Sequence, residues 1–184
     1  MPIFARTKLV IHEDCLAPAP GSPLPGGSII TLTYNGPNPQ NLYQQIKKLI
    51  VAVFAIPERE ILEREYLWDR SKPDEVFRVV FEFVKDLDAF SFIEVVVTLS
   101  GVAKPSRHFG KEGNAEVRIE GRLRTEYPQD TVWQRSLIYE MFRVFYHRFI
   151  YEEKRKKYKQ ECWNLINRLQ NELKSFLNIL PKSS

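Results

Sequence analysis

Between Glu116 and Tyr127 the chain alternates almost residue by residue. Val117, Ile119, Leu123 and Tyr127 fall on one side, and Glu116, Arg118, Glu120, Arg122, Arg124 and Glu126 on the other. A strand sends successive side chains to opposite faces. Period two with charge on one side therefore describes a strand that is wet on one face and dry on the other, as in an antiparallel sheet. A parallel sheet, covered on both faces, would not carry Glu and Arg at every second position. The dry face needs a cover, and helices are what the rest of the chain offers. The expected fold class is α+β: an antiparallel sheet covered on one face by helices, with a long C-terminal helix.

Two more segments repeat the pattern. Phe77, Val79, Phe81 and Phe83 share a face opposite Arg78 and Glu82. Ile93, Val95, Val97 and Leu99 share a face opposite Glu94, Thr98 and Ser100. Leu87-Asp88-Ala89 reads as the turn between them, which accounts for Asp86 and Asp88 as turn residues. Phe4–His12, Ser28–Tyr34 and Glu60–Asp69 read as less regular strands. The Pro/Gly-rich run Ala17–Gly27 and the polar stretch Gly101–Asn114 read as loops, the second long enough to move. Asn35-Gly36-Pro37 breaks the Ser28 strand. Asn38-Pro39 then suits a cap followed by proline at the first helical position. Leu42, Tyr43, Ile46, Leu49, Ile50, Val53 and Phe54 recur at helical spacing up to Pro57.

From Thr131 to Leu180 the chain has neither Gly nor Pro. Thr131-Val132-Trp133-Gln134 has the form of a capping box, and Pro181 supplies the stop. One straight rod over that span would be about 75 Å long, against roughly 40 Å for a domain of this size. It must bend back, protrude or meet a partner. Leu137, Ile138, Met141, Phe142, Phe145 and Phe149 make one apolar face. Trp133–Tyr151 is therefore expected to lie across the dry sheet and close the core. That draws one α+β domain over 1–151, with 152–184 as a helical extension. Cys162, Leu165, Ile166, Leu169, Leu173, Phe176, Leu177 and Leu180 form a second stripe, which either folds back on its own domain or pairs two chains as a homodimer.

The order strand, helix, antiparallel strands, long helix resembles the helix-grip fold of START-like (SRPBCC) domains over roughly Ser28 to Tyr151. The chain departs from them in its single early helix, its shorter run of strands and the segment after Glu152. The resemblance implies a curved sheet around a helix and a small hydrophobic ligand held between the two. The strings Lys85-Asp86-Leu87-Asp88 and Leu123-Arg124-Thr125-Glu126-Tyr127-Pro128-Gln129-Asp130 are similar to an archaeal family to which no activity is attached, so no functional residue carries over. The ligand-cavity candidates are Tyr66, Trp68, Phe81, Phe83, Met141 and Phe145.

Charge offers a second function. The formal net charge is +4, but residues 1–103 carry 10 Lys and Arg against 13 Asp and Glu, whereas residues 104–184 carry 17 against 10. The stretch Phe145–Trp163 concentrates the excess and interleaves aromatics. Cations neutralise phosphates and aromatic rings stack on unpaired bases. The nucleic-acid-binding candidates are Arg148, Tyr151, Lys154, Arg155, Lys156, Lys157, Tyr158 and Lys159, with RNA or another anion as partner. A solvated helix face competes with that reading, because Glu152 and Glu153 stand one helical turn before Lys156 and Lys157. Arg118, Arg122 and Arg124 are interleaved with Glu, so cross-strand ion pairs on a wet sheet explain them. No nucleophile elbow and no spaced metal-ligand set occurs, so the expectation is a non-enzymatic protein with no cofactor and no metal. No run of apolar residues is long enough to span a membrane, and Met1–Leu9 lacks a secretory core; the expected location is cytoplasmic. Cys15 and Cys162 are then expected as free thiols.

Overall fold

The computed structural model describes residues 8–16, 29–71, 73–108, 110–128, 136–146 and 151–179. In chain order the elements are β1 (Lys8–Asp14), β2 (Ile30–Pro37), α1 (Leu42–Phe54), β3 (Leu62–Asp69), β4 (Glu75–Asp86), β5 (Ser91–Ser106), β6 (Gly110–Pro128), α2 (Leu137–Phe145) and α3 (Glu152–Ile179). Short 3₁₀ turns at Pro39–Asn41 and Glu58–Glu60 lead into α1 and β3. The protein is α+β: all six strands form one antiparallel sheet in the order β1-β6-β5-β4-β3, and β2 also pairs with β6. The 19-residue β6 carries two N-terminal strands end to end along one edge. β2 runs from Ile30↔Ile119 to Pro37↔Glu112, and β1 from Lys8↔Pro128 to Asp14↔Arg122. An antiparallel sheet with a long C-terminal helix is compatible with a helix-grip arrangement.

Alternation is kept along every central strand. Phe77, Val79, Phe81, Phe83, Ile93, Val95, Val97, Leu99, Val117, Ile119 and Leu123 are buried on the inner face. Full burial of a side chain of this kind is worth about 1.5–3 kcal/mol. Arg118 and Arg122 stay exposed on the outer face. The stretch Gly101–Asn114, expected as a loop, is instead the far half of the β5–β6 hairpin, paired from Gly101↔Ala115 to Ser106↔Gly110. Lys104, Pro105, Ser106 and Gly113 have little strand propensity, but the ladder begun at Ser91 carries them along. Gly101 makes this possible, because a Cβ there would overlap the Asn114 carbonyl oxygen and the Phe77 ring. Nor does Asn35-Gly36-Pro37 break β2. Pro37 pairs at a sheet edge, where its missing N–H is not needed.

Two helices roof the inner face side by side. α1 turns Leu42, Ile46, Ile50, Val53 and Phe54 inward. The Phe54 ring meets Phe83 at 4.8 Å and the Tyr43 ring lies 5.6 Å from Phe81, which sets α1 over β4. Ala55 in the left-handed region ends the helix, and Lys85 Nζ donates to the Phe54 carbonyl at 3.1 Å. α3 covers β6 with Cys162, Ile166, Leu169 and Leu173, all sealed from solvent. Gly121 is the notch that admits it: a Cβ there would overlap Ile166 Cδ1 and touch Cys15. The Gly121→Val variant is therefore expected to lose about 1–3 kcal/mol by overpacking, read as a lower urea midpoint with an unchanged slope.

Two expectations are corrected here, and an alternative left open is decided for the described residues. The roof is not the helix expected over Trp133–Tyr151, because α2 leaves Ile138, Met141, Phe142 and Phe145 more than half exposed. The inner face is already filled by α1 and α3, and a nine-residue helix could not span it. The second stripe, left open to self-docking or to a second chain, docks in cis from Cys162 to Leu177, so α3 packs into the same core as the strands. Nor are the cysteines free: Cys15 and Cys162 form a disulfide between the end of β1 and α3.

The rod also bends. Tyr151 N donates to Tyr146 O at 2.8 Å, a π-type bond spanning five residues rather than four. α2 is capped by Ser136, whose Oγ accepts from Tyr139 N at 3.2 Å. The expected capping box at Thr131–Gln134 lies outside the described residues, as do Ala17–Gly27, Phe149 and Leu180.

Candidate functional site

The N-terminal half of α3 is held to the sheet at three places. At its start, Tyr151 turns into the protein and its hydroxyl donates to Asp88 Oδ2 at 2.7 Å. Tyr158, two turns on, donates to the same oxygen at 3.0 Å. Asp88 Oδ1 meanwhile accepts from the Phe90 and Ser91 N–H groups at 2.9 and 2.7 Å, closing the β4–β5 turn. Ser91 Oγ lies 2.7 Å from the Tyr151 hydroxyl and 3.2 Å from Thr125 Oγ1. A hydroxyl carries one proton. Since that of Tyr151 goes to Asp88, the chain runs from Thr125 to Ser91 to Tyr151 to Asp88. Burial pushes the Asp88 carboxyl up, but the two N–H groups and two phenols outweigh it and hold it below the usual carboxylate range. Burial, followed by the Asp88 charge, raises the Tyr151 hydroxyl well above an ordinary phenol. Beyond this network, Arg155 pairs with Glu13 at 3.4 Å and Cys162 is bonded to Cys15.

Fixed in this way, α3 presents a line of side chains beside the end of β1. Lys156, Lys159, Gln160 and Trp163 step by three and four, so they stand above one another on one flank. Together with Cys15 they line an open recess of about 390 Å³. Trp163 is 47% exposed, unusual for so large an apolar ring. Lys156 is 71% exposed and paired only with Glu152 on its own helix, at 2.8 Å. Such a pair contributes a few tenths of a kcal/mol and yields readily to a phosphate. Among the described residues, Lys154, Lys157 and Lys159 have no ion pair. Lys154 and Lys157 project from the other flank.

The arginines of the outer sheet face are already paired. On the outer face Arg118 meets Glu116, Arg122 meets Glu120 at 3.7 Å, and Arg124 meets Glu126 at 2.7 Å and Glu94 at 4.0 Å. Arg78 bonds Glu65 at 3.0 Å and Arg64 bonds Glu82 at 2.7 Å across the β3–β4 ladder. A recess of about 590 Å³ on this face is lined by Thr33, Asn35, Ser100 and Asn114 around Val76 and Val102, together with Arg78 and Glu116, each already in an ion pair. Beside α1, Lys47 lies 3.0 Å from both Glu58 and Glu63, and Tyr43 donates to Glu63 at 2.8 Å. Burial pulls the Lys47 ammonium down, but the two carboxylates more than reverse this and fix its charge. No group of three or more His, Cys, Asp and Glu among the described residues is placed to hold a metal ion.

The two candidate sets are divided differently by the fold. Tyr66, Trp68 and Phe81 belong to one aromatic row: Tyr66 stacks on Trp68 at 5.9 Å, Trp68 on Phe77 at 5.3 Å, and Tyr43 bridges to Phe81. Trp68 Nε1 donates to Glu75 at 3.2 Å. Phe81 and Phe83 are sealed under α1, whereas Tyr66, Met141 and Phe145 are exposed. Those six side chains do not line one space. In the basic set, Lys154, Lys156, Lys157 and Lys159 are on the surface, but Tyr151 and Tyr158 are the anchor rather than stacking platforms. Arg148 lies outside the described residues. Asp88 is legible as a turn residue, and its Oδ1 does close that turn, but its tie to α3 and the roles of Ser91 and Thr125 depend on partners 34 to 70 residues away. Gln160 could have been found from its helical spacing to Lys156 and Trp163.

No protein-family model matches the sequence, and no curated protein matches it. Among the described residues no helix is long and apolar enough to cross a membrane.

Proposed function

We propose that the protein binds single-stranded RNA without catalysing a reaction, and that the N-terminal half of α3 is the binding surface. The observation that carries this is the half-exposed Trp163 standing in line with Lys156, Lys159 and Gln160 over a recess. Ammonium groups neutralise backbone phosphates with release of counterions. An indole beside them offers a stacking face for a base, and Gln160 offers both a donor and an acceptor for its edge. The helix is held at Asp88, Glu13 and Cys15, so little order need be created on binding. Paired arginines on the outer sheet face explain why the basic balance of the C-terminal half would act here and not there.

A helix-grip relative with a hydrophobic ligand has element order as its support. Met141 and Phe145, which it would need beside Phe81 and Phe83, are exposed while those two are sealed.

The test is anisotropy of a labelled mixed-sequence RNA across a salt series. Affinity should fall with salt by about 0.7 log unit per log unit for each phosphate contacted. Lys156→Ala with Lys159→Ala should lower that slope by roughly 1.4. Trp163→Ala should weaken binding by about 1–3 kcal/mol at unchanged slope. Binding indifferent to salt, or both variants matching the parent, would remove the proposal.

A further inference from the structure

We propose that the outward face of α2 is a homodimer interface, covered by α2 of a second copy of this chain. α2 is turned the wrong way for a surface helix. Ile138, Met141, Phe142 and Val144 are 55–68% exposed, while Arg143 stands with its guanidinium 5.8 Å from the Tyr127 ring. Ile138, Met141 and Phe142 are spaced by three and four, so they form one stripe. Side chains of this size present roughly 150–250 Å² each. At the observed exposure the four leave on the order of 500 Å² of apolar surface, at the upper end of what a monomer keeps bare. A standard interface takes about 800 Å² from each partner, some 60% of it apolar. The stripe therefore matches one half of such an interface.

The chemistry favours a second copy over other occupants. An isologous contact brings each patch against itself, so any charge on it meets its like. The four exposed positions carry none. A lipid surface would be expected to select cations on the flanks of the helix, and the one described cation of α2, Arg143, is directed at Tyr127. Pairing through the other apolar stripe, on α3, has less to offer a second copy, because its Cys162, Ile166, Leu169 and Leu173 are already buried in cis. The dimer is independent of the RNA proposal, whose residues lie on α3.

Sedimentation velocity of the full chain between 1 and 100 µM tests it. The parent should sediment as a dimer, and Met141→Glu with Phe142→Glu should weaken association at least 100-fold while leaving the circular dichroism spectrum unchanged. If the double variant fails to fold, hydrogen exchange on the parent replaces it: amide protection over 137–145 should rise with protein concentration. A parent that stays monomeric at 100 µM, a dimer that survives the double variant, or concentration-independent exchange would overturn the proposal. Flotation with phosphatidylcholine vesicles, with and without phosphatidylglycerol, separates the main rival. A monomer that floats, and loses this in the double variant, would give the stripe to a lipid surface and refute the dimer.

Discussion

Replacing Cys15 and Cys162 together by alanine is expected to lower the unfolding free energy by about 4 kcal/mol. The bond joins residues 147 positions apart. Chain-entropy reasoning gives on the order of 5 kcal/mol for a loop of that length, and losses measured on removing native disulfides run about 2–5 kcal/mol. Alanine is chosen over serine because both positions are sealed among apolar side chains. A serine hydroxyl there would add a desolvation cost of about 1–3 kcal/mol of its own. Domains of this kind are stable by only about 5–15 kcal/mol, so the loss should shift a urea midpoint plainly. Reduction of the parent with dithiothreitol should reproduce the variant. A midpoint that ignores both treatments would show that the cross-link does not constrain the chain.

Asp88→Ala should cost about 3–5 kcal/mol, because one side chain serves four donors. Its removal leaves the Tyr151 hydroxyl buried without its acceptor and releases Tyr158 and two turn N–H groups. Hydrogen bonds to a charged group are worth about 1.5–3 kcal/mol each and do not add simply when they share an atom. Asp88→Asn should cost less, since its amide oxygen can still accept. The acid limb carries the signature. The folded-state pKa of Asp88 is lowered, so the unfolded chain binds its proton more readily. The stability it contributes is complete above the unfolded value of about 4 and is lost as pH falls through the folded value. Glu63 and Glu75, also lowered, act in the same direction. Asn at 88 should therefore flatten the fall in stability below pH 4 without abolishing it. Parallel acid limbs in parent and variant would sink this account of the network.

The strands, α1 and the sidedness of the sheet could be read in advance because one-sided burial leaves a local period. The same period puts Glu and Arg together on the outer face, but not with the cross-strand partners expected: Arg118, Arg122 and Arg124 pair with Glu116, Glu120 and Glu126 of their own strand, and Arg124 also reaches across to Glu94. What local pattern could not decide was which of two apolar helical stripes would face the sheet. Ile138–Phe145 and Cys162–Leu173 are equally periodic. The choice rests on a notch at Gly121, a cross-link to Cys15 and a carboxylate at Asp88, all distant in sequence. Tyr151 and Tyr158 show the same limit within the site: as aromatics among lysines they suggest stacking, but their hydroxyls belong to a turn 63 and 70 residues earlier. Strand pairing beyond Gly101 was hidden because register, not propensity, extends it.

The length of β6 has a consequence for how the protein is made. A nascent chain leaves the ribosome N-terminus first, yet the partners of Lys8 and Ile30 are Pro128 and Ile119. β1 and β2 must therefore wait, edges bare, until β6 has emerged, and α3 can seal the inner face only after that. Contacts so distant in sequence make for slow acquisition of the native state. β1 and β2 are thus made before the strand they pair with, and it is the interval before β6 arrives in which this protein most needs protection from its neighbours.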